Sequence, residues 1–157
     1  MTGLTNSLSL SIFMNDLPNY LECKNSGYVR LNDYKLRCLL YADDIVLMSE
    51  SQQGLQRSLD LLAAYCKGWQ LVVNIKKKKI IVFHKRFQEN LCFTLNNQRL
   101  EVIKTQTYLG IVLSYTGSFK PAIANLYSKA SKAYHSLRRE FNFHNVLKLP
   151  RVNFQES

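Results

Sequence analysis

The sequence predicts an α+β fold in which an antiparallel sheet is packed by helices, and three observations carry that expectation. Apolar runs of strand length bracket turn residues, first at Leu36 to Leu40 and Ile45 to Met48 and again around Asn96-Asn97. Two other stretches, about 50–67 and from Pro121 onward, repeat their apolar residues at helical spacing. The 157 residues are 46% hydrophobic, enough for one core, and no shift in composition marks a second domain.

The elements follow in chain order. Tyr41-Ala42-Asp43-Asp44 sits between the first two apolar runs, so it predicts a hairpin with acid at its tip. Leu39 and Leu40 belong to one strand and Val46 and Leu47 to the other. Side chains alternate along a strand, so Asp43 and Asp44 are expected on different sides unless the turn rotates one of them. Ser49 is a candidate N-cap with Gln52 at the third helical position, a capping-box spacing, and Gly68 offers the stop. Between them Leu55, Leu59, Leu62, Ala63 and Cys66 form one stripe.

Trp69 to Val73 and Ile80 to Phe83 then read as two strands flanking a basic turn, Lys76 to Lys79. Asn96-Asn97 marks a hairpin, and Tyr108-Leu109-Gly110-Ile111-Val112-Leu113 reads as one further strand. The last helix starts near Pro121, a residue suited to a first helical position. One face carries Ile123, Leu126, Ala130, Ala133, Tyr134 and Leu137; Lys129, Lys132, Arg138 and Arg139 decorate the rest. Residues 141–157 lack periodicity and are expected to fray.

Charge narrows the function classes. Twenty-one Lys and Arg against eleven Asp and Glu give a formal charge of +10, which favours polyanions or acidic surfaces as partners. Lys76 to Lys79, with Lys85 and Arg86 beyond the next strand, form the sharpest cluster. Cys23, Cys38, Cys66 and Cys92 are widely spaced, which argues against a zinc site and for reduced thiols. His84, His135 and His144 do not cluster either. No apolar run is long enough to span a bilayer, and no basic-then-apolar signal pattern follows Met1. The expectation is an intracellular protein of nucleus or cytoplasm, without a membrane partner.

Two adjacent carboxylates on a hairpin suit paired divalent ions, which in phosphoryl chemistry stand roughly 3.5–4 Å apart. Hard ions such as Mg²⁺ prefer such oxygen donors. By itself Asp-Asp in a turn is more often a solvated turn pair; the blocks around it decide the reading.

In order, four blocks resemble the reverse transcriptase domain of LINE-type, non-LTR retrotransposons, in the C-terminal part of its palm. Tyr41-Ala42-Asp43-Asp44 is similar to that family's metal-binding hairpin, Tyr-x-Asp-Asp. Leu71-x-Val73-Asn74-x-x-Lys77-x-Lys79 resembles the next block, and Tyr108-Leu109-Gly110 the strand opening the primer-grip region. Phe13-Met14-Asn15-Asp16-Leu17-Pro18 resembles the helix and turn after the template-binding block. The resemblance covers roughly residues 3 to 140. It departs at Thr2-Gly3-Leu4-Thr5-Asn6-Ser7, which lacks the usual Gln and Pro, and at Lys78, where Thr is usual.

The resemblance implies a partial palm over 1–140 leading into a thumb-like helix, and an activity of RNA-templated DNA synthesis by two-metal nucleotidyl transfer. Asp43 and Asp44 would be the metal-holding catalytic carboxylates, for Mg²⁺ or Mn²⁺, and Lys77 would serve the incoming triphosphate. Tyr41 would lie near the primer end; Lys76, Lys78 and Lys79 would meet nucleic acid; Tyr108, Leu109 and Gly110 would support the primer strand. RNA template, DNA primer and deoxynucleoside triphosphates are the implied partners.

The family's further Asp and its fingers are expected upstream of Met1, so the copy looks truncated and drifting. Two close Mg²⁺ ions repel, and two carboxylates offset too little of that repulsion. The chain alone is therefore expected to be inactive and to bind metal weakly. Asp16 matches the turn block, not the upstream catalytic strand. The alternatives are a non-catalytic nucleic-acid-binding module and a transposon relic. Strands missing beside the hairpin would leave edges exposed, and self-association through them is expected.

Overall fold

The computed structural model describes residues 14–42, 44–71, 73–88 and 90–141, with backbone alone at 76, 140 and 141. Among them lie helices α1 (Leu17–Cys23), α2 (Gln52–Gly68) and α3 (Lys120–Phe141) and a single 3₁₀ turn, Ile75–Lys77. The strands are β1 (Val29–Leu31), β2 (Tyr34–Leu36), β3 (Cys38–Tyr41), β4 (Asp44–Leu47), β5 (Lys79–Ile80), β6 (Phe93–Leu95), β7 (Gln98–Val102), β8 (Thr105–Tyr108) and β9 (Ile111–Ser114). The mixed α+β class is as expected, but the sheet is not one sheet. The strands form pairs β1-β2, β3-β4 and β8-β9 and a triplet β5-β7-β6, in which β5 runs parallel to β7.

Three hairpins share one device, a two-residue loop: Asn32-Asp33, Asn96-Asn97 and Leu109-Gly110 close the pairs Leu31↔Tyr34, Leu95↔Gln98 and Tyr108↔Ile111; a fourth antiparallel pairing ends at Tyr41↔Asp44. Such loops need positive φ to match the twist of their strands. Asn32 (53°), Asn96 (51°), Asn97 (61°), Leu109 (47°) and Gly110 (83°) all supply it. The hairpin at Asn96-Asn97 is borne out. The run Tyr108 to Leu113 is corrected: it is not one strand but two strands and a turn, because Leu109 adopts the left-handed conformation before a glycine.

Helix α2 organises the core. Leu62, Tyr65 and Cys66 pack with Met14, Leu17 and Leu21, and Leu59 packs with Ile80, Phe93, Leu95 and Leu100. Leu17 and Leu21 are fully buried, each contributing roughly 1.5–3 kcal/mol relative to exposure. The N-cap is Ser51, not Ser49: its side chain accepts from Gly54 N–H, while the Ser49 hydroxyl accepts from Ser51 N–H. The stop also lies beyond Gly68. Gln70, at φ 56°, is the left-handed residue; Leu71 N–H reaches Cys66 C=O and Gln70 N–H reaches Lys67 C=O, the Schellman arrangement. Asn25 ends α1 the same way, through Ser26 to Leu21 and Asn25 to Glu22.

Of the two strands expected around the basic turn, the described residues keep only Lys79–Ile80. The segment after α2 instead runs irregularly into the 3₁₀ turn, since it feeds Leu71, Val73 and Ile75 into both halves of the core. Helix α3 begins on β9, with Ala122 buried. Its apolar stripe does not pack: Ile123, Leu126, Tyr134 and Leu137 are exposed. The expected tail lies outside the described residues beyond 141.

Candidate active site

The β3–β4 pairing fixes two faces. Residues directly opposite share a face, and alternate residues join them. Cys38, Leu40, Ile45 and Leu47 therefore point one way, and Leu39, Tyr41, Asp44 and Val46 the other. Cys38, Ile45 and Leu47 pack against the α1–α2 core, so the face with Tyr41 and Asp44 looks away from it. Tyr41 is 61% exposed and Asp44 is exposed. Three hydrogen bonds hold the strands in place from outside: Met48 N–H to Arg37 C=O (2.8 Å), Glu50 N–H to Tyr28 C=O (3.0 Å) and Arg30 N–H to Glu50 Oε1 (2.7 Å).

The expected hairpin and its flanking residues are borne out. Asp44 is not in the turn, however; it opens β4, paired with Tyr41. Ala42 follows Tyr41 at φ 49°, and Asp43 lies outside the described residues. A left-handed alanine costs roughly 1–2 kcal/mol, and this loop holds it next to the acid pair.

The lysine run divides. Lys77 closes the 3₁₀ turn, donating its N–H to Asn74 C=O (3.3 Å), and its side chain is exposed. Lys78 is half-buried near Cys66, where its charge favours the thiolate while burial, the larger effect, pushes the Cys66 thiol up. Lys79 lies in β5, ion-paired with Glu101 of β7. The pairing follows from the parallel register Lys79↔Glu101. From sequence Lys77 is expected at the triphosphate and Lys76, Lys78 and Lys79 at nucleic acid; of these, the fold gives Lys79 a carboxylate partner within the chain. The side chain of Lys76 lies outside the description.

Tyr108, Leu109 and Gly110 form the end of the β8–β9 hairpin, with Leu109 50% exposed at the tip. Among the described residues no hydrogen bond joins this hairpin to β3–β4. The fold thus presents three separate displays, the Tyr41/Asp44 face, the lysine turn and the Leu109 tip.

Asp44 offers hard oxygen of the kind Mg²⁺ takes. Among the described residues no three His, Cys, Asp or Glu side chains converge as a metal cage, so they do not by themselves fit two ions. No described helix is long and apolar enough to cross a membrane. The cysteines are free, with Cys38 raised by burial like Cys66.

Sequence reading missed the Lys79–Glu101 pair, which had no local signal, as its partners are 22 residues apart. It singled out Lys85 and Arg86 but not the aromatics that frame them in Phe83-His84-Lys85-Arg86-Phe87.

Comparison with known proteins bears on these displays. A family model described as reverse transcriptase (RNA-dependent DNA polymerase) matches residues 2–113, a span containing all three. The chain is 33% identical over 132 residues to a probable RNA-directed DNA polymerase from transposon BS of Drosophila melanogaster, covering 73% of this chain and 13% of that protein. It is 25% identical over 122 residues to an RNA-directed DNA polymerase from mobile element jockey of Drosophila funebris, covering 74% of this chain and 13% of the other. A retrovirus-related Pol polyprotein from type-1 retrotransposable element R2 of Nasonia vitripennis is 29% identical over 115 residues, covering 64% and 11%. The chain thus spans about an eighth of the length of these relatives. No solved structure matches it.

Proposed function

The chain belongs to the reverse transcriptase (RNA-dependent DNA polymerase) family, and from that premise we propose that it is the C-terminal part of the palm of a non-LTR retrotransposon's RNA-directed DNA polymerase. The observation that carries this reading is the β3–β4 register, which turns Tyr41 and Asp44 together away from the core while Cys38, Ile45 and Leu47 anchor the opposite face. A catalytic carboxylate must stand on a rigid element and face substrate, and this hairpin offers both.

In this reading Asp44, with Asp43 beside it, supplies the carboxylates that hold Mg²⁺ or Mn²⁺. Held there, such ions would supply activation of an attacking hydroxyl and neutralisation of phosphate charge. Tyr41 lines the primer end, exposed Lys77 attracts the triphosphate, and the Leu109-Gly110 tip supports the primer strand. Template RNA, primer DNA and deoxynucleoside triphosphates are the substrates. Helix α3 lies beyond the matched span and leads into the thumb. Two carboxylates are too few for two ions, so these 157 residues are inactive alone and bind metal weakly. The exposed edges of the two-stranded sheets favour self-association.

Primer extension tests this. The purified chain with primer, template, four nucleotides and Mg²⁺ or Mn²⁺ incorporates nothing above background; joined to the upstream part of a relative's polymerase, it extends, and Asp44→Asn abolishes extension. Extension by the chain alone that Asp44→Asn removes overturns the inactivity. A fused chain whose activity ignores Asp44→Asn overturns the assignment of the hairpin.

The second reading, a non-catalytic nucleic-acid-binding module, rests on charge: residues 102–139 carry six Lys or Arg and no Asp or Glu. Salt-dependent binding of RNA or DNA by the chain, with no activity in the fused form, favours it.

A further inference from the structure

The segment 83–87 lies outside the three displays above, yet the fold fastens it. His84 N–H donates to Tyr115 C=O (2.9 Å), and Tyr115 N–H donates to Lys104 C=O (2.9 Å), which ties the segment to the flank of the β8–β9 hairpin. His84 Nδ1 accepts from Arg86 N–H (3.2 Å), closing a tight turn that leaves the side chains of Lys85 and Arg86 exposed. Phe87 is the anchor. Its ring meets Tyr115 edge-on at 5.5 Å, and the Lys104 ammonium sits 4.9 Å above its centroid.

Phe83 behaves differently. It is 60% exposed and stacks on no aromatic ring among the described residues. A lone exposed phenyl is ordinary; one two residues before a pair of exposed cations, on a segment pinned by backbone bonds, is a different object. An open groove of about 420 Å³ begins at Phe87 on the same segment and is lined further by Leu91, Arg99, Leu100, Glu101 and Val102. Of the charged residues lining that groove, Glu101 is ion-paired with Lys79 and Arg99 is an exposed cation. An aromatic face next to a cationic track is the physical requirement for holding a single nucleic-acid strand, because every base has a π-face and every linkage a phosphate.

We propose that residues 83–87 form a platform for one single strand of nucleic acid, with a base stacked on Phe83 and phosphates met by Lys85 and Arg86. The proposal rests on the reading that the chain handles nucleic acid, and it adds a site separate from the Asp44 hairpin and the lysine turn. Phe87 and Lys104 position the platform, since their mutual contact occupies the face that a base would otherwise use.

The test is fluorescence anisotropy of labelled oligo-dT and oligo-U with the 157-residue chain, from 50 to 200 mM salt, alongside a duplex of equal length. Phe83→Ala weakens single-strand binding about tenfold at every salt concentration, the equivalent of the stacking of one base. It leaves the log–log salt slope unchanged. Phe83→Trp keeps the affinity, which excludes misfolding as the cause. The double change Lys85→Gln with Arg86→Gln flattens the slope by about 1.4, two contacts on a single strand.

Wild-type binding unaltered by Phe83→Ala overturns the platform alone. A loss on the duplex as large as on the single strands also overturns it. A wild-type chain that binds no strand at all overturns both the platform and the reading beneath it.

Discussion

Gly27 and Gly54 meet backbone to backbone: a Cβ on Gly27 would stand 2.5 Å from both the carbonyl carbon and the carbonyl oxygen of Gly54. Ser58 joins them, accepting from Gly27 N–H (3.0 Å) and donating to Gly54 C=O (3.0 Å). This contact seats the first turn of α2 against the loop that leads to β1, next to the end of β4, where Met48 and Glu50 N–H bond Arg37 and Tyr28 C=O.

Gly27→Ala is therefore expected to destabilise the chain by about 2 kcal/mol or more, an overpacking cost that backbone atoms have little room to relieve. Ser58→Ala, which removes both hydrogen bonds from a fully buried position, costs about 1–3 kcal/mol. Urea unfolding followed by far-UV circular dichroism measures both. A Gly27→Ala variant as stable as wild type would show that the close approach is not a constraint.

Gln56 fastens α2 to the sheet by copying a backbone. Its Oε1 accepts from Thr94 N–H (2.9 Å) and its Nε2 donates to Thr94 C=O (2.9 Å), filling the free edge of β6. Asp60 Oδ1 takes the other amide hydrogen (2.8 Å). Gln56→Glu sets a carboxylate against a carbonyl and against Asp60, so stability falls by about 1–3 kcal/mol at neutral pH. Because the introduced acid has its pKa raised by that company, the loss shrinks as pH falls toward 4. A pH-independent loss would count against the arrangement.

Burial raises the thiols of Cys66 and Cys38 above their ordinary 9.0, and burial first, then the charge of Asp16, raises Tyr65 above 10.0. Each group favours its neutral form in the folded state, so the stability it contributes is full below the unfolded value and is lost as pH rises. Stability should hold to about pH 8 and decline above about 9. Cys66→Ala, compared with wild type across pH 7–11, should show a shallower alkaline decline; parallel curves would exclude the thiol as the cause.

The ion pair of Lys79 with Glu101 changes what the lysine run contributes to nucleic-acid binding. Replacing Lys76, Lys77 and Lys78 by Gln should flatten the log–log salt slope by roughly 2 on single strands, at about 0.7 per phosphate contact. Lys79→Gln alone should leave it nearly unchanged, and Glu101→Gln, which frees Lys79, should steepen it by up to about 0.7. Equal effects of all four lysines would contradict the pairing.

The sequence by itself determined the acid hairpin, the long helix, the Asn96-Asn97 turn and the family, because each rests on local pattern: apolar runs of strand length, helical spacing, residues that accept positive φ, and short motifs in a fixed order. Only the tertiary structure decided the rest. Ser49 and Ser51 are equivalent caps on paper, and the choice fell to Ser51 where Gly54 must approach Gly27. Leu109 looked like strand because its side chain is apolar; its left-handed backbone is imposed by the pairing of Tyr108 with Ile111. That Tyr41 and Asp44 share the outward face follows from a register that only the packing of Cys38, Ile45 and Leu47 on α1 and α2 selects, since a one-residue slip would exchange the two faces.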